Sequence, residues 1–241
     1  MRILRRLVAA SVAGLVLAGG FTALTPAQAT GSAADPVRDD HVSIYAGKIP
    51  ELVDAGWAPC AGPVTWSVDP GSLTAAQLRA ETARLRRALR AWSGATGLRF
   101  SYLGVETMAV DGPALQVGPT GSGSARPRHI YVAFRGGDSV PAFVQTVYGY
   151  AAPTLADRGT RQISGGFVLI RTDRVRDAAA SDPQSLSSLY LHELGHVLGL
   201  GHAKRDENVM FPIVTDQLHL GAGDVTGVQQ LLSGCPGQAA T

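Results

Sequence analysis

The sequence predicts an α+β domain with a parallel strand pair, and three observations predict it. Residues 64–103 read as strand, long helix and strand, the spacing of a right-handed crossover between parallel neighbours. Further apolar runs with strand character follow at 130–134 and 167–170. A second helical pattern, apolar over most of its surface, covers residues 186–198. A chain of 241 residues, 45% hydrophobic, is long enough for one sizeable core. With 17% charged and 6% aromatic residues it is neither a disordered polyelectrolyte nor a coiled coil.

Each element has its own signal. Val64, Trp66 and Val68 alternate with Thr65 and Ser67, a half-buried strand closed by Asp69-Pro70-Gly71. Thr74 and Gln77 form a capping box, and Leu73 and Leu78 a hydrophobic staple, at the start of a helix. Leu78, Leu85, Leu89 and Trp92 share one face of it, and Arg79, Arg86, Arg87 and Arg90 lie mostly on the solvated remainder. Gly94 and Gly97 end the helix. Leu98, Phe100 and Tyr102 alternate as the second strand. Residues 105–127, rich in Gly, Pro and Ser, predict a long loop. Ile130, Val132 and Phe134 mark a third strand, residues 141–151 a further one, and Phe167–Ile170 another apolar run. Residues 172–184 are polar and lead into the helix at 186–198.

The first thirty residues read as an address. Arg2, Arg5 and Arg6 precede an apolar stretch from Leu7 to Phe21, and Ala27-Gln28-Ala29 supplies a small-x-small cleavage pattern. This predicts a secretory signal over residues 1–29 and a secreted, extracellular protein. The net charge of +2 falls to −1 without those residues, because three of the basic residues go and no acidic one does. A basic nucleic-acid footprint is therefore not expected, nor a membrane anchor after signal cleavage. Residues 30–59 read as an N-terminal arm, a short pro-segment or a linker, and residues 60–241 as the folded domain. In an exported domain two thiols most often pair, which predicts a disulfide between Cys60 and Cys235. The alternative is that Cys60 caps a metal site.

The chemistry concentrates in Leu191-His192-Glu193-Leu194-Gly195-His196-Val197-Leu198-Gly199-Leu200-Gly201-His202. His192 and His196 are four residues apart, one helical turn along the same face, and can share one ion. Glu193 flanks that ion and can hold and deprotonate a water. A straight helix would carry residue 202 too far around and along its axis. Gly199 can take positive φ without steric cost and turn the chain back, so that His202 becomes the third ligand. Three neutral imidazoles plus a water make an open zinc site of the catalytic kind.

This extended pattern resembles the metzincin zinc peptidases, in particular the matrixin-like branch. Met210 stands eight residues after His202 in Asn208-Val209-Met210-Phe211-Pro212, similar to the family's Met-turn, with Phe211 in place of the usual Tyr. In the family this methionine packs beneath the histidines and is not a ligand. Gly223 to Leu231 resembles the start of the matrixin C-terminal helix, with Asp224 at its acidic position, where its plain role is to bind backbone amides. The resemblance implies a twisted sheet of four parallel strands and one antiparallel edge strand, a long first helix, an active-site helix and a C-terminal helix. The edge strand, which binds extended substrate in the family, is expected around 141–151.

The resemblance further implies a monomeric zinc endopeptidase with one catalytic Zn2+, a polypeptide substrate and Glu193 as general base. Phe211, Ile213 and Val214 suggest apolar walls for the residue after the scissile bond. Departures limit the transfer. The sequence has no Pro-Arg-Cys-Gly switch motif and no hemopexin-like domain, and the usual residues for structural zinc and calcium are not evident, so calcium is left open. His129, His41 and His219 read as structural or exposed histidines. Two other readings compete: a zinc hydrolase acting on a non-protein amide, and a zinc-holding domain that captures a peptide or protein partner without turnover. Intact Glu193 argues against the second.

Overall fold

Alternate side chains of the central strands enter two different cores, which is what fixes the architecture. The computed structural model describes residues 7–8, 40–42, 44, 55–111, 116–121, 124–141, 143, 147–156 and 161–232. Leu7–Val8 (β1) is a two-residue strand. Val64–Asp69 (β2), Ala75–Thr96 (α1) and Phe100–Val105 (β3) make the first crossover. Met108–Asp111 (β4) and Gln116–Pro119 (β5) follow, then His129–Arg135 (β6), Gly149–Leu155 (β7) and Ile163–Arg171 (β8). The C-terminal part holds Thr172–Ser181 (α2), Pro183–Val197 (α3), Ile213–Val214 (β9) and Ala222–Leu231 (α4). β1 pairs antiparallel with β9.

The main sheet has the order β3-β2-β6-β8-β7. The first four strands are parallel, and β7 pairs antiparallel with β8 at the edge. Ile130, Val132 and Phe134 of β6 and Val168 and Ile170 of β8 join α1 and α3 in the larger core. Tyr131, Ala133, Phe167 and Leu169 face the other way, into a smaller core with Met108, Val117, Phe143 and Tyr150. Burial on both faces explains why β6 and β8 read as continuous apolar runs.

The first helix follows its sequence signals closely. Thr74 Oγ1 accepts from Gln77 N at 3.3 Å, and Gln77 Oε1 accepts from Thr74 N at 2.9 Å. Leu85, Ala88, Leu89 and Trp92 are buried, and Gly97, at φ +70°, ends the helix. Gly94 lies within it. Trp92 reaches across to α3, where its indole N–H donates to Leu191 O at 3.0 Å. Glu81, also buried on α1, accepts from Tyr190 Oη at 2.5 Å and from Arg84.

Three expectations are corrected. Residues 105–127 are not one long loop, because the antiparallel pair β4–β5 lies within them. Its strands have four residues each, and it commits Met108 and Val117, with Val110 partly buried beside them, to the smaller core. The edge strand runs over Gly149–Leu155, later than 141–151. It includes Pro153, which an edge strand tolerates because one row of its backbone groups needs no ladder partner. Residues 172–181, read as a polar connector, form α2. Cys60 lies in a turn ahead of β2, and Cys235 lies outside the described residues. Among the described residues no helix is long and apolar enough to cross a membrane.

Candidate metal centre

The helix α3 is built to be buried. Asp182 caps it by accepting from Ser185 N at 3.2 Å, and Pro183 occupies the first turn, where a missing N–H costs nothing. Every residue from Ser188 to Val197 is buried. His192, Glu193 and His196 are completely so. Such a position is tolerable for these groups only if each is held by a partner or a ligand.

The helix then ends in a full glycine-based turn. Gly199 has φ +104°. Its N–H donates to His196 O at 3.0 Å, and Leu200 N donates to Gly195 O at 3.0 Å, the paired bonds of a Schellman cap. The same turn aims Leu200 O back at the helix, where His196 Nδ1 donates to it at 2.7 Å. Trp57 Nε1 donates to Val197 O at 3.0 Å and satisfies another carbonyl of the helix end. The turn returns the chain so that His202 faces the other two rings.

The three imidazoles converge. Ring centroids lie 4.7 Å apart for His192–His196, 5.3 Å for His192–His202 and 5.0 Å for His196–His202. One ligand nitrogen from each lies within 4.8 Å of the other two. Among the described residues no other group of three or more His, Cys, Asp or Glu side chains could hold an ion. His192 Nδ1 donates to Val209 O at 2.7 Å, which leaves Nε2 with a lone pair. That Nε2 is buried and has no hydrogen-bond partner. Burial, with His202 beside it, pushes the His192 imidazole down to about 3, so it is neutral over the physiological range.

Glu193 is the second orphan. Both carboxylate oxygens are buried without a hydrogen-bond partner. Burial pushes the carboxyl well above the usual range. Its neighbour across the site is β7, where a Cβ on Gly149 would come within 2.6 Å of Oε1. Orphaned Nε2 and orphaned carboxylate together fit a divalent cation, and a set of three imidazole nitrogens fits zinc.

Met210 packs against α3 at Gly195. Gly195, between His192 and His196 in sequence, has no Cβ, and one placed there would collide with Met210 Sδ and sit 3.0 Å from Trp92 Cζ2. The turn is held by Asp224, buried at the start of α4. Its carboxylate accepts from Val209 N at 2.8 Å, Met210 N at 3.2 Å and Gly221 N at 2.7 Å. Asp224 thus binds backbone amides, and through Val209 it stands one step from His192.

The matrixin family model matches residues 154–233, the stretch from β7 through the three histidines to α4. Residues 154–233 are matrixin-like. The chain is similar to Metalloendoproteinase 5-MMP of Arabidopsis thaliana, 39% identical over 54 residues, 21% of this chain and 15% of the relative. Metalloendoproteinase 2-MMP of the same plant is 41% identical over 54 residues, 21% of this chain and 14% of the relative. Macrophage metalloelastase of Oryctolagus cuniculus is 44% identical over 48 residues, 18% of this chain and 10% of the relative. The matches therefore span well under a fifth of these relatives' length. The matrixin-like fold is the mixed sheet described above, mostly parallel with one antiparallel edge.

Other predicted residues fall elsewhere. His129 is fully buried on β6, 2.8 Å from Thr65 Oγ1 through Nδ1 and 2.7 Å from Ser67 Oγ through Nε2. Ser67 also donates to Glu106, which Arg126 clamps through two bonds. His129 is a structural histidine of this network. His41 pairs with Gln230 Oε1 at 2.8 Å. A surface hollow of about 230 Å3, with Trp66, Arg86, Arg90 and Tyr102 among its walls, shares no residue with the histidine cluster. Sequence reasoning missed Asp40 and Trp57, which reach the Lys204–Asn208 loop and the end of α3 from far along the chain. No local spacing signals such contacts.

Proposed function

We propose that this chain is a secreted zinc endopeptidase, with His192, His196 and His202 as ligands and Glu193 as the general base. The observation that carries the reading is the pairing of three convergent imidazoles with a buried carboxylate that has no partner of its own. A purely structural zinc site has four protein ligands and no need of a buried base. Zinc, when bound, supplies the Lewis acidity that lowers a water's pKa and polarises the scissile carbonyl.

The chain's own residues do the rest. Val209 O fixes His192 in the Nδ1–H tautomer and leaves its Nε2 for the ion, and Leu200 O orients the His196 ring through Nδ1. Glu193 takes a proton from the attacking water and delivers it to the leaving amine. No nucleophilic serine or thiol takes part. The edge strand β7, beside Glu193, offers backbone groups to an extended polypeptide, which sets the scissile bond against the carboxylate. Met210 supports the ligand helix at Gly195. A signal over residues 1–29 and a disulfide between Cys60 and Cys235 belong to the same reading, because both suit export.

The test is to purify the mature protein, measure its zinc content and incubate it with a mixture of unfolded polypeptides. One zinc per chain and chelator-sensitive new termini are expected. A folded, zinc-loaded protein that makes no cuts would favour peptide capture without turnover.

A further inference from the structure

The segment around Asp40 is far more engaged than a removable arm needs to be. The Asp40 carboxylate is buried and accepts from Lys204 N at 2.9 Å, Arg205 N at 2.7 Å and Asn208 Nδ2 at 3.1 Å. Two residues on, Val42 O accepts from Gly201 N at 2.6 Å. Ile44, itself buried, donates its N–H to Gly199 O at 2.7 Å. These bonds bracket His202. Gly199 and Gly201 are tied on one side of it, Lys204 and Arg205 on the other.

A groove in α4 receives this segment. Gly223 and Gly227 lie one helical turn apart. A Cβ at Gly223 would come within 2.5 Å of Asp40 O, and one at Gly227 within 2.6 Å of His41 Cβ. The network then runs inward. Asn208, completely buried, accepts through Oδ1 from Gly223 N at 2.9 Å while donating to Asp40. Asp224, next to Gly223, holds Val209 and Met210, and Val209 O holds His192.

We propose that Asp40 is a positioning residue for the third metal ligand, and that residues 40–42 with Ile44 belong to a strap retained in the mature protein. Any maturation cut then falls N-terminal to Asp40. The proposal rests on the zinc reading given above. Its physical basis is that His202 sits outside α3, on a loop with no helix of its own to orient it. Without Asp40, the amides of Lys204 and Arg205 and one Asn208 N–H lose their acceptor, and the loop gains freedom that zinc must remove on binding. Groups that orient metal ligands from behind typically change affinity by about 10–100-fold when lost.

The experiment compares the full mature chain with Asp40→Ala, Asp40→Asn and Asp206→Ala. Asp206 is exposed on the same loop and serves as the control. Zinc affinity is measured by competition with a chromophoric chelator, and visible spectra are recorded with cobalt(II) in place of zinc. Asp40→Ala is expected to bind zinc about 10–100-fold more weakly and to shift the cobalt spectrum, with Asp40→Asn intermediate and Asp206→Ala unchanged. Should Asp40→Ala not fold, Asp40→Asn, which keeps one acceptor oxygen, carries the comparison. A folded Asp40 variant with wild-type zinc affinity and an unshifted spectrum would overturn the strap while leaving the zinc reading intact. A wild type that takes up neither metal would overturn both. N-terminal sequencing of the active secreted protein should find its first residue at or before Asp40, and a start anywhere beyond Asp40 would contradict the proposal.

Discussion

Gly195 and Met210 interlock, with the methionine thioether occupying the space that a Cβ on Gly195 would need. The glycine between the two helix histidines and the methionine of the later turn are therefore one packing unit. Gly195→Ala should force Met210 or Trp92 to move and cost about 1–3 kcal/mol, as overpacked cores do. Met210→Leu, a near volume-conserving swap, should cost less than about 1.5 kcal/mol. Denaturant midpoints of the two variants check this, and a Gly195→Ala protein as stable as wild type would contradict the packing.

Gly199 makes a different prediction, because its constraint is backbone conformation. At φ +104°, with Ala55 O only 2.8 Å from a would-be Cβ, alanine is strained twice. Gly199→Ala should lose on the order of 2 kcal/mol. In a domain of this size that lowers Tm by several degrees, about 2–4 °C per kcal/mol. Zinc affinity should fall as well, since the turn places His202. Calorimetry with a chelator titration would show both losses, and an unchanged zinc affinity would separate the turn from the ligand set.

The buried network around His129 predicts a pH dependence remote from the metal. Burial, with Arg126 nearby, pushes this imidazole from 6.5 down to about 4. The unfolded chain therefore takes up a proton below pH 6.5 that the folded chain refuses until about pH 4. Stability is fully present above pH 6.5 and falls through that window, by on the order of 3 kcal/mol for the whole step. Glu106, held by Arg126 down at about 2, adds a second loss as pH drops below 4.5. His129→Gln should flatten the dependence of urea midpoints on pH between 6.5 and 4.5. An unaltered slope would show that His129 does not stay neutral in the fold.

What was legible in the sequence follows from locality. The histidine pair, the glycine turn and the third histidine are close enough in sequence for helix geometry to place them. Their convergence could therefore be read from spacing alone. The capping box at Thr74 and Gln77 and the strand alternation at 64–68 and 130–134 are local for the same reason. The β4–β5 pair was not legible, since four-residue strands flanked by Gly and Pro carry almost no periodicity. The true extent of the edge strand is hidden because it contains Pro153, which argues against a strand unless its edge position is known. The long-range ties were invisible in principle. Asp40 meets Lys204 from 164 residues away and Glu81 meets Tyr190 from 109, and nothing in either neighbourhood announces the other.

The most direct test of the central claim is to compare zinc content and peptide turnover in wild type and Glu193→Gln. The amide keeps the shape of the side chain and removes its ability to accept the water's proton. One zinc should bind in both proteins, with turnover lower in the variant by about 100- to 10,000-fold, the usual worth of a positioned base. Equal turnover in the zinc-loaded variant would contradict the role assigned to Glu193. Zinc bound by both but turnover by neither would mean that the site holds its metal for binding and not for hydrolysis.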